Sequence, residues 1–456
     1  MRRHPTRDLL RQFLVDELAD DAAEEVQGHV ERGCVSCLFT MRELMAHTEP
    51  DLFANLLRFC NPAIPAEERL ARFDRAVRQT FYRALTVGGE RRLGPTLLAE
   101  LERRPAAARR EAIRTALRYQ LFGFADYLAE ESRQAGFRDV VRAQELAELG
   151  VEVADVLDPS IYLPAVVQDR RALNRAFLGN ARRVASDLFG ADRAFEEARF
   201  HLEHGSDSEI VRGEVLSLLG SLRIDQTRYP EAFRVLEEAL GLFRQIGQRQ
   251  DEGKVLLKLA IVHGYAGEPE RSVEVLVEAK PIIDEDGHER HVALARHGLS
   301  WWLVEAGDPL EALAIFEKAR PHYDRFQDDP WFQLRRTWQE ARIYAALGDA
   351  TRAEPLFDDA RHTATERELP YELAMINLEL AIFHLNQGDT AKVHQLAEEM
   401  APIFRSRDLH AHGMAAIYLF QHAARTRTAT AGLAKEVLDY LRRAQKNPYV
   451  PFLGER

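Results

Sequence analysis

Cysteine is scarce in this sequence: three residues in 456, Cys34, Cys37 and Cys60, all near the N-terminus. That excludes a disulfide framework for most of the chain and leaves the closely spaced pair for metal or redox chemistry. Long hydrophobic runs are missing too. No stretch of about 18 apolar residues occurs, so no membrane-spanning helix is expected. The first residues, with Arg2, Arg3 and His4 followed by acidic sequence, lack the apolar core and cleavage site of an export signal, which points to the cytoplasm. Positive charge is in deficit, with 61 Lys and Arg against 73 Asp and Glu and a net charge of −12. Such a balance argues against a surface built for nucleic acid. Also absent are a phosphate-binding glycine loop, a Gly-x-Ser-x-Gly elbow and a His-Glu-x-x-His helix, so no enzyme is expected.

What the sequence does contain is a repeat. Small residues recur at Ala191, Ala232, Ser272, Ala312 and Ala353, with Val393 as a larger sixth member, at steps of 40 or 41. Twelve positions upstream of each stands a second small residue: Gly179, Gly220, Ala260, Ser300, Ala341 and Ala381. Four positions downstream, five of the six copies place Phe195, Leu236, Leu276, Phe316 or Phe357. Two helices can cross closely only over small side chains, and a bulky neighbour then fills the space beside the crossing. Gly267, Gly307, Gly348 and Gly388 fall between the two small columns, where one helix ends and the next begins. A fixed period of this length marks a stacked array rather than a single globular core.

The pattern resembles the tetratricopeptide repeat, with about six residues more per copy than the usual 34-residue form. It implies an all-α solenoid of helical hairpins, each about 40 residues long. Segments 171–188, 257–260 and 398–407 extend the likeness to bacterial tetratricopeptide regulators that carry a variable N-terminal module. The resemblance implies a groove lined by the first helix of each hairpin. Counting back from the turns, the candidate partner-binding residues there are Asn180, Arg183, Lys254, His297, Trp301, Arg335, Trp338 and Arg342. Cations beside tryptophan faces suit a peptide's carboxylates and apolar side chains.

Residues 1–50 read as three short helices, too small to bury much apolar area without a staple. His29, Cys34 and Cys37 form a His-x4-Cys-x2-Cys motif. With His4 as a fourth group, the set has the donor types that tetrahedral zinc takes. This resembles the zinc-binding anti-sigma module, although that pattern has one residue fewer between His and the first Cys, the extra here being absorbed at Gly33. The resemblance implies a structural zinc and a sigma factor as a partner. His47 is an alternative to His4, and a metal-free helical cap with two incidental thiols is the alternative reading of the same residues. Cys60, in an apolar stretch, is assigned to a core.

The expected layout is therefore a zinc-finger-like module at 1–50, a helical connector at 51–105, the repeat solenoid at 106–408, and a capping hairpin and tail at 409–456. Gly88 and Gly89 in the connector fit either a hinge or an ordinary turn. In the tail, Leu433, Val437 and Leu441 form an apolar stripe suited to covering the end of the array. The function this implies is regulation by binding a protein or peptide, with scaffolding of an effector complex as the alternative.

Overall fold

The computed structural model describes residues 4–14, 18, 20–31, 87, 89–136, 138–159, 161–326, 329–405, 411–447 and 449–452. Cys34, Cys37, Cys60, His47, Gly33 and Gly88 lie outside the described residues, as does the third helix expected near the N-terminus. The described residues contain helices and no strand. No helix among them is long and apolar enough to cross a membrane. They fall into two compact units, one comprising Met1–Leu222 with Arg234–Asp251, the other Arg223–Phe233 with Glu252–Arg456.

The first unit begins with α1 (Arg7–Leu14) and α2 (Asp20–Glu31), followed by α3 at 89–102 and α4 (Ala106–Thr115). Gly89 lies in the first turn of α3, and the next residue anchors that end: Glu90 is buried and accepts hydrogen bonds from Gly123 N at 2.9 Å and the Tyr162 hydroxyl at 2.7 Å. Next come the antiparallel pair α5 (Phe122–Ala135) and α6 (Val140–Asp155), and then α7 (Pro164–Val184) and α8 (Leu188–Glu203). The unit closes with most of α9 (Glu209–Asp225) and the later part of α10 (Tyr229–Gln245).

In the second unit the hairpins follow in order: α11 (Arg249–Tyr265) with α12 (Pro269–Asp286), α13 (Glu289–Glu305) with α14 (Pro309–Asp324), α15 (Pro330–Ala346) with α16 (Ala350–Glu366), and α17 (Pro370–Gln387) with α18 (Thr390–Arg405). Two further helices end the chain, α19 (Ala411–Arg425) and α20 (Ala431–Ala444).

The small columns are the crossing points. Ala191, Ala232, Ser272, Ala312 and Ala353 are fully buried, and Val393 is nearly so. The Ser272 hydroxyl donates to Ala260 O at 2.7 Å, and the Ser300 hydroxyl donates to Ala312 O at 2.9 Å, so members of the two columns face each other within a hairpin. The bulky column lies directly over the upstream small one. A β-carbon placed on Gly179 would meet the Phe195 ring at 2.7 Å, and one on Gly220 would meet Leu236 at 2.4 Å.

The turns within the hairpins repeat as faithfully. Gly267, Gly307, Gly348 and Gly388 have φ of +76° to +86°, and Ser186 and Thr227 hold the equivalent left-handed position in the earlier copies at +63° and +60°. In each case the following N–H reaches back to a carbonyl of the helix just ended, as with Asp308 N to Leu303 O and Asp349 N to Tyr344 O, both 2.9 Å. This closes the helix end by the usual left-handed cap. Asp308 and Asp349 then cap the next helix by accepting from Glu311 N and Arg352 N.

Candidate functional site

The residues that converge come from the first helices of successive hairpins in the second unit. A step of 37 residues, one repeat less about one helical turn, sets side chains of α13, α15 and α17 next to one another. It pairs Trp301 with Trp338 and Glu305 with Arg342, and the same step from Arg342 arrives at Glu379. The Trp301 and Trp338 rings meet edge to face with centroids 5.4 Å apart. Arg342 lies over Trp301, its guanidinium carbon 3.6 Å from the ring centroid. Arg335 sits 5.2 Å from the Trp338 centroid and 5.8 Å from that of Trp301. His297 is beside Trp301 and hydrogen bonded to the Tyr323 hydroxyl at 2.8 Å.

Four charges interlock on this face. Arg342 donates to Glu305 at 2.7 Å and to the Glu379 carboxylate at 3.1 Å. Trp338 Nε1 donates to the other oxygen of Glu379 at 2.6 Å. From α20, Arg442 donates to Glu379 at 2.8 Å and to Glu305 at 3.4 Å. Two carboxylates and two guanidiniums therefore alternate, which is how buried charges become tolerable. Burial alone would raise the Glu305 carboxyl, but Arg342, Arg442 and Lys435 outweigh it and hold the group below its ordinary range. For His297, burial, reinforced by Arg335 and Arg342, lowers the imidazole to about 3, so it stays neutral.

Of the residues expected from sequence to line a groove, the structure brings together His297, Trp301, Arg335, Trp338 and Arg342. Three of them are covered, Trp338 at 1% exposed, Arg342 at 6% and Trp301 at 7%, while His297 and Arg335 are half-buried. Arg342 is also engaged by two carboxylates of the array itself, so it does not wait for a ligand's acid. Asn180 and Arg183 belong to the first unit, where Arg183 donates to Asn180 Oδ1 at 3.0 Å. Lys254 is on α11. Sequence reading left Glu379 and Arg442 out of the site. The 37-residue step from Glu305 through Arg342 signals the first, whereas no local pattern points to the second.

What covers this face is the chain's own last helix. α20 packs on α17 and buries Ala434, Val437, Leu438, Tyr440, Leu441 and Ala444. Besides Arg442, its contacts with the array include Gln445 to Glu372 at 2.5 Å and, just beyond the helix, Asn447 to Gln226 O at 3.5 Å. The stripe expected to close the end of the array thus also runs back across its first helices. Beside α20 a cleft of about 240 Å³ stays open, lined by Tyr229, Tyr265, Trp302, Asp439, Arg443 and Lys446 among others. Burial raises the Tyr229 phenol to about 12.

At the N-terminus, His4 and His29 come together across 25 residues of sequence with ring centroids 4.9 Å apart. His29 Nε2 is buried with no hydrogen-bond partner among the described residues, and His4 Nε2 is 3.4 Å from Glu209. No group of three or more His, Cys, Asp or Glu side chains suited to a metal occurs among the described residues. Cys34 and Cys37, the other two expected ligands, lie outside them.

No protein-family model matches the chain, and no curated protein does. Solved structures to which the chain is similar include a Rap protein complexed with competence and sporulation factor, 15% identical with a TM-score of 0.47, covering 79% of this chain and 99% of that one. Another is aspartyl phosphate phosphatase F from Bacillus subtilis, 10% identical with a TM-score of 0.47, covering 100% and 99%. A third is a signal-transduction ATPase with a tetratricopeptide repeat sensor from Pyrococcus horikoshii, 14% identical with a TM-score of 0.35, covering 96% and 67%. The chain itself shows helical hairpins whose small residues recur at steps of 40 or 41.

Proposed function

We propose that this chain is a non-catalytic regulatory protein that binds a protein or peptide on the face made by α13, α15 and α17. The observation that carries this reading is the convergence of Trp301, Trp338, Glu305, Arg342 and Glu379 from three successive hairpins. Aromatic rings beside paired charges can recognise the side chains of a helix, as they do those of α20 here, and none of these groups is arranged as a nucleophile with its base. The open cleft at Tyr265 and Trp302 adjoins it through Arg442, which lines the cleft and pairs with Glu305 and Glu379.

Site-directed photocrosslinking tests this. A benzophenone amino acid at Tyr265, which is 43% exposed, captures a discrete partner in the source cells. The same probe at Leu310, 71% exposed at the start of the second helix α14, captures none. Capture at Leu310 and not at Tyr265 would place binding elsewhere.

The N-terminal residues support a zinc-stapled module as a further part of this reading. The paired imidazoles of His4 and His29, with a buried ring nitrogen on His29 that has no hydrogen-bond partner among the described residues, fit two of the four ligands. Cys34 and Cys37 would supply the thiolates. When bound, the metal would hold the short helices together. On the anti-sigma resemblance, the partner of this module is a sigma factor.

A further inference from the structure

The chemistry of the partner can be read from what already occupies the face. We infer that α20 is a resident, exchangeable occupant of the partner site, and that the site selects an amphipathic helix carrying an arginine flanked by apolar residues. This rests on the reading of the α13–α15–α17 face as a binding surface and specifies what enters it.

Three carboxylates of the array, Glu305, Glu372 and Glu379, meet α20. Arg342 alone cannot neutralise the pair it touches. The second cation comes from α20, where Arg442 lies between Glu305 and Glu379 at 3.4 and 2.8 Å, 5.8 Å from the Trp301 ring centroid. Lys435, two turns earlier, is 3.9 Å from Glu305. With α20 gone, Glu305 and Glu379 would keep Arg342 as the cation between them, so a helix that covers them again must bring a second cation at the same place. The apolar half of the requirement is set by Val437, Leu438 and Leu441, one stripe of the helix seated against the core.

The attachment suits exchange. α20 is a helix of 14 residues with its own N-cap, Thr430 accepting from Leu433 N. It packs on α17 and α19 and is linked to α19 through Thr426–Ala429, a turn whose Thr426, Arg427 and Thr428 are exposed. A competing helix therefore needs to displace one short element from α17 and α19 and to cover the apolar side chains it leaves.

The test uses the full chain with a protease site inserted at Thr426–Ala429. After cleavage, a fluorescent peptide spanning residues 428–452 is added and its anisotropy followed. We expect it to enter the cut chain by exchanging with the severed helix, and the same peptide with Arg442→Glu to enter at least about ten-fold more weakly. The uncut chain takes up far less. Failure to exchange while circular dichroism shows the cut chain folded would overturn the proposal, making α20 a permanent part of the core. Equal entry of the Arg442→Glu peptide would overturn the arginine requirement. If the array exchanges α20 while the Tyr265 probe captures nothing in cells, the functional reading fails and with it the partner, leaving α20 an exchangeable helix of the array's own.

Discussion

At the scale of single residues, the spacing of the helices depends on side chains that are nearly absent. Gly179 lies under the Phe195 ring, where a β-carbon would come within 2.7 Å, whereas Gly241 in α10 has nothing within 4 Å of that position. The same substitution should therefore have opposite effects. Gly241→Ala relieves the entropic cost of a mid-helix glycine and raises stability by about 0.5–1 kcal/mol. Gly179→Ala gains the same propensity but forces the ring aside, and we expect a net loss of about 1–2 kcal/mol. Urea denaturation of the two variants beside the parent chain checks the sign. Gly179 was legible in the sequence because small residues at a fixed step have few explanations other than close crossing, whereas Gly241 stands outside that column.

At the scale of an element, α13 carries two titratable groups with opposite protonation demands. His297 must be neutral, with its imidazole held at about 3, while Glu305 must be ionised, held below the ordinary carboxylate range. The unfolded chain takes up a proton on His297 below about pH 6.5 that the folded chain refuses, so stability falls as pH drops from there towards 3. Within that window each pH unit costs at most about 1.4 kcal/mol from this one group. Glu305 adds a loss only at lower pH, once the unfolded carboxyl begins to protonate near 4.5 and the folded one follows below it. Thermal melts of His297→Gln should show a shallower decline between pH 7 and 5 than the parent chain. An unchanged slope would mean that His297 is protonated in the folded state. The helix boundaries around these residues follow from turn chemistry and were readable in advance. Which arginine meets which glutamate was not, since each first helix offers several polar positions and only packing selects the pair.

At the scale of the whole molecule, the chain divides into two compact units, the first containing the paired imidazoles of His4 and His29. If these imidazoles and the thiols of Cys34 and Cys37 share a zinc ion, the purified chain holds about one equivalent. Cys34→Ser/Cys37→Ser then loses it together with N-terminal helicity. Metal analysis of both proteins under reducing, chelator-free conditions decides this. A parent chain without zinc would leave the N-terminal helices as a metal-free cap.

The sequence by itself determined the helical hairpins, their 40-residue step, the crossing residues and the turns, because all of these arise from contacts within one or two neighbouring repeats. It also pointed to Trp301, Trp338, Arg335 and Arg342 as one group, through their recurrence at similar places in successive first helices. Only the tertiary structure decided that this group is covered and charge-balanced. Arg442 is separated from Glu379 by 63 residues and from Glu305 by 137, and at such separations no local periodicity records a contact. The seating of α20 follows instead from burying its apolar stripe where two carboxylates still needed a cation, a condition that exists only once the array has formed.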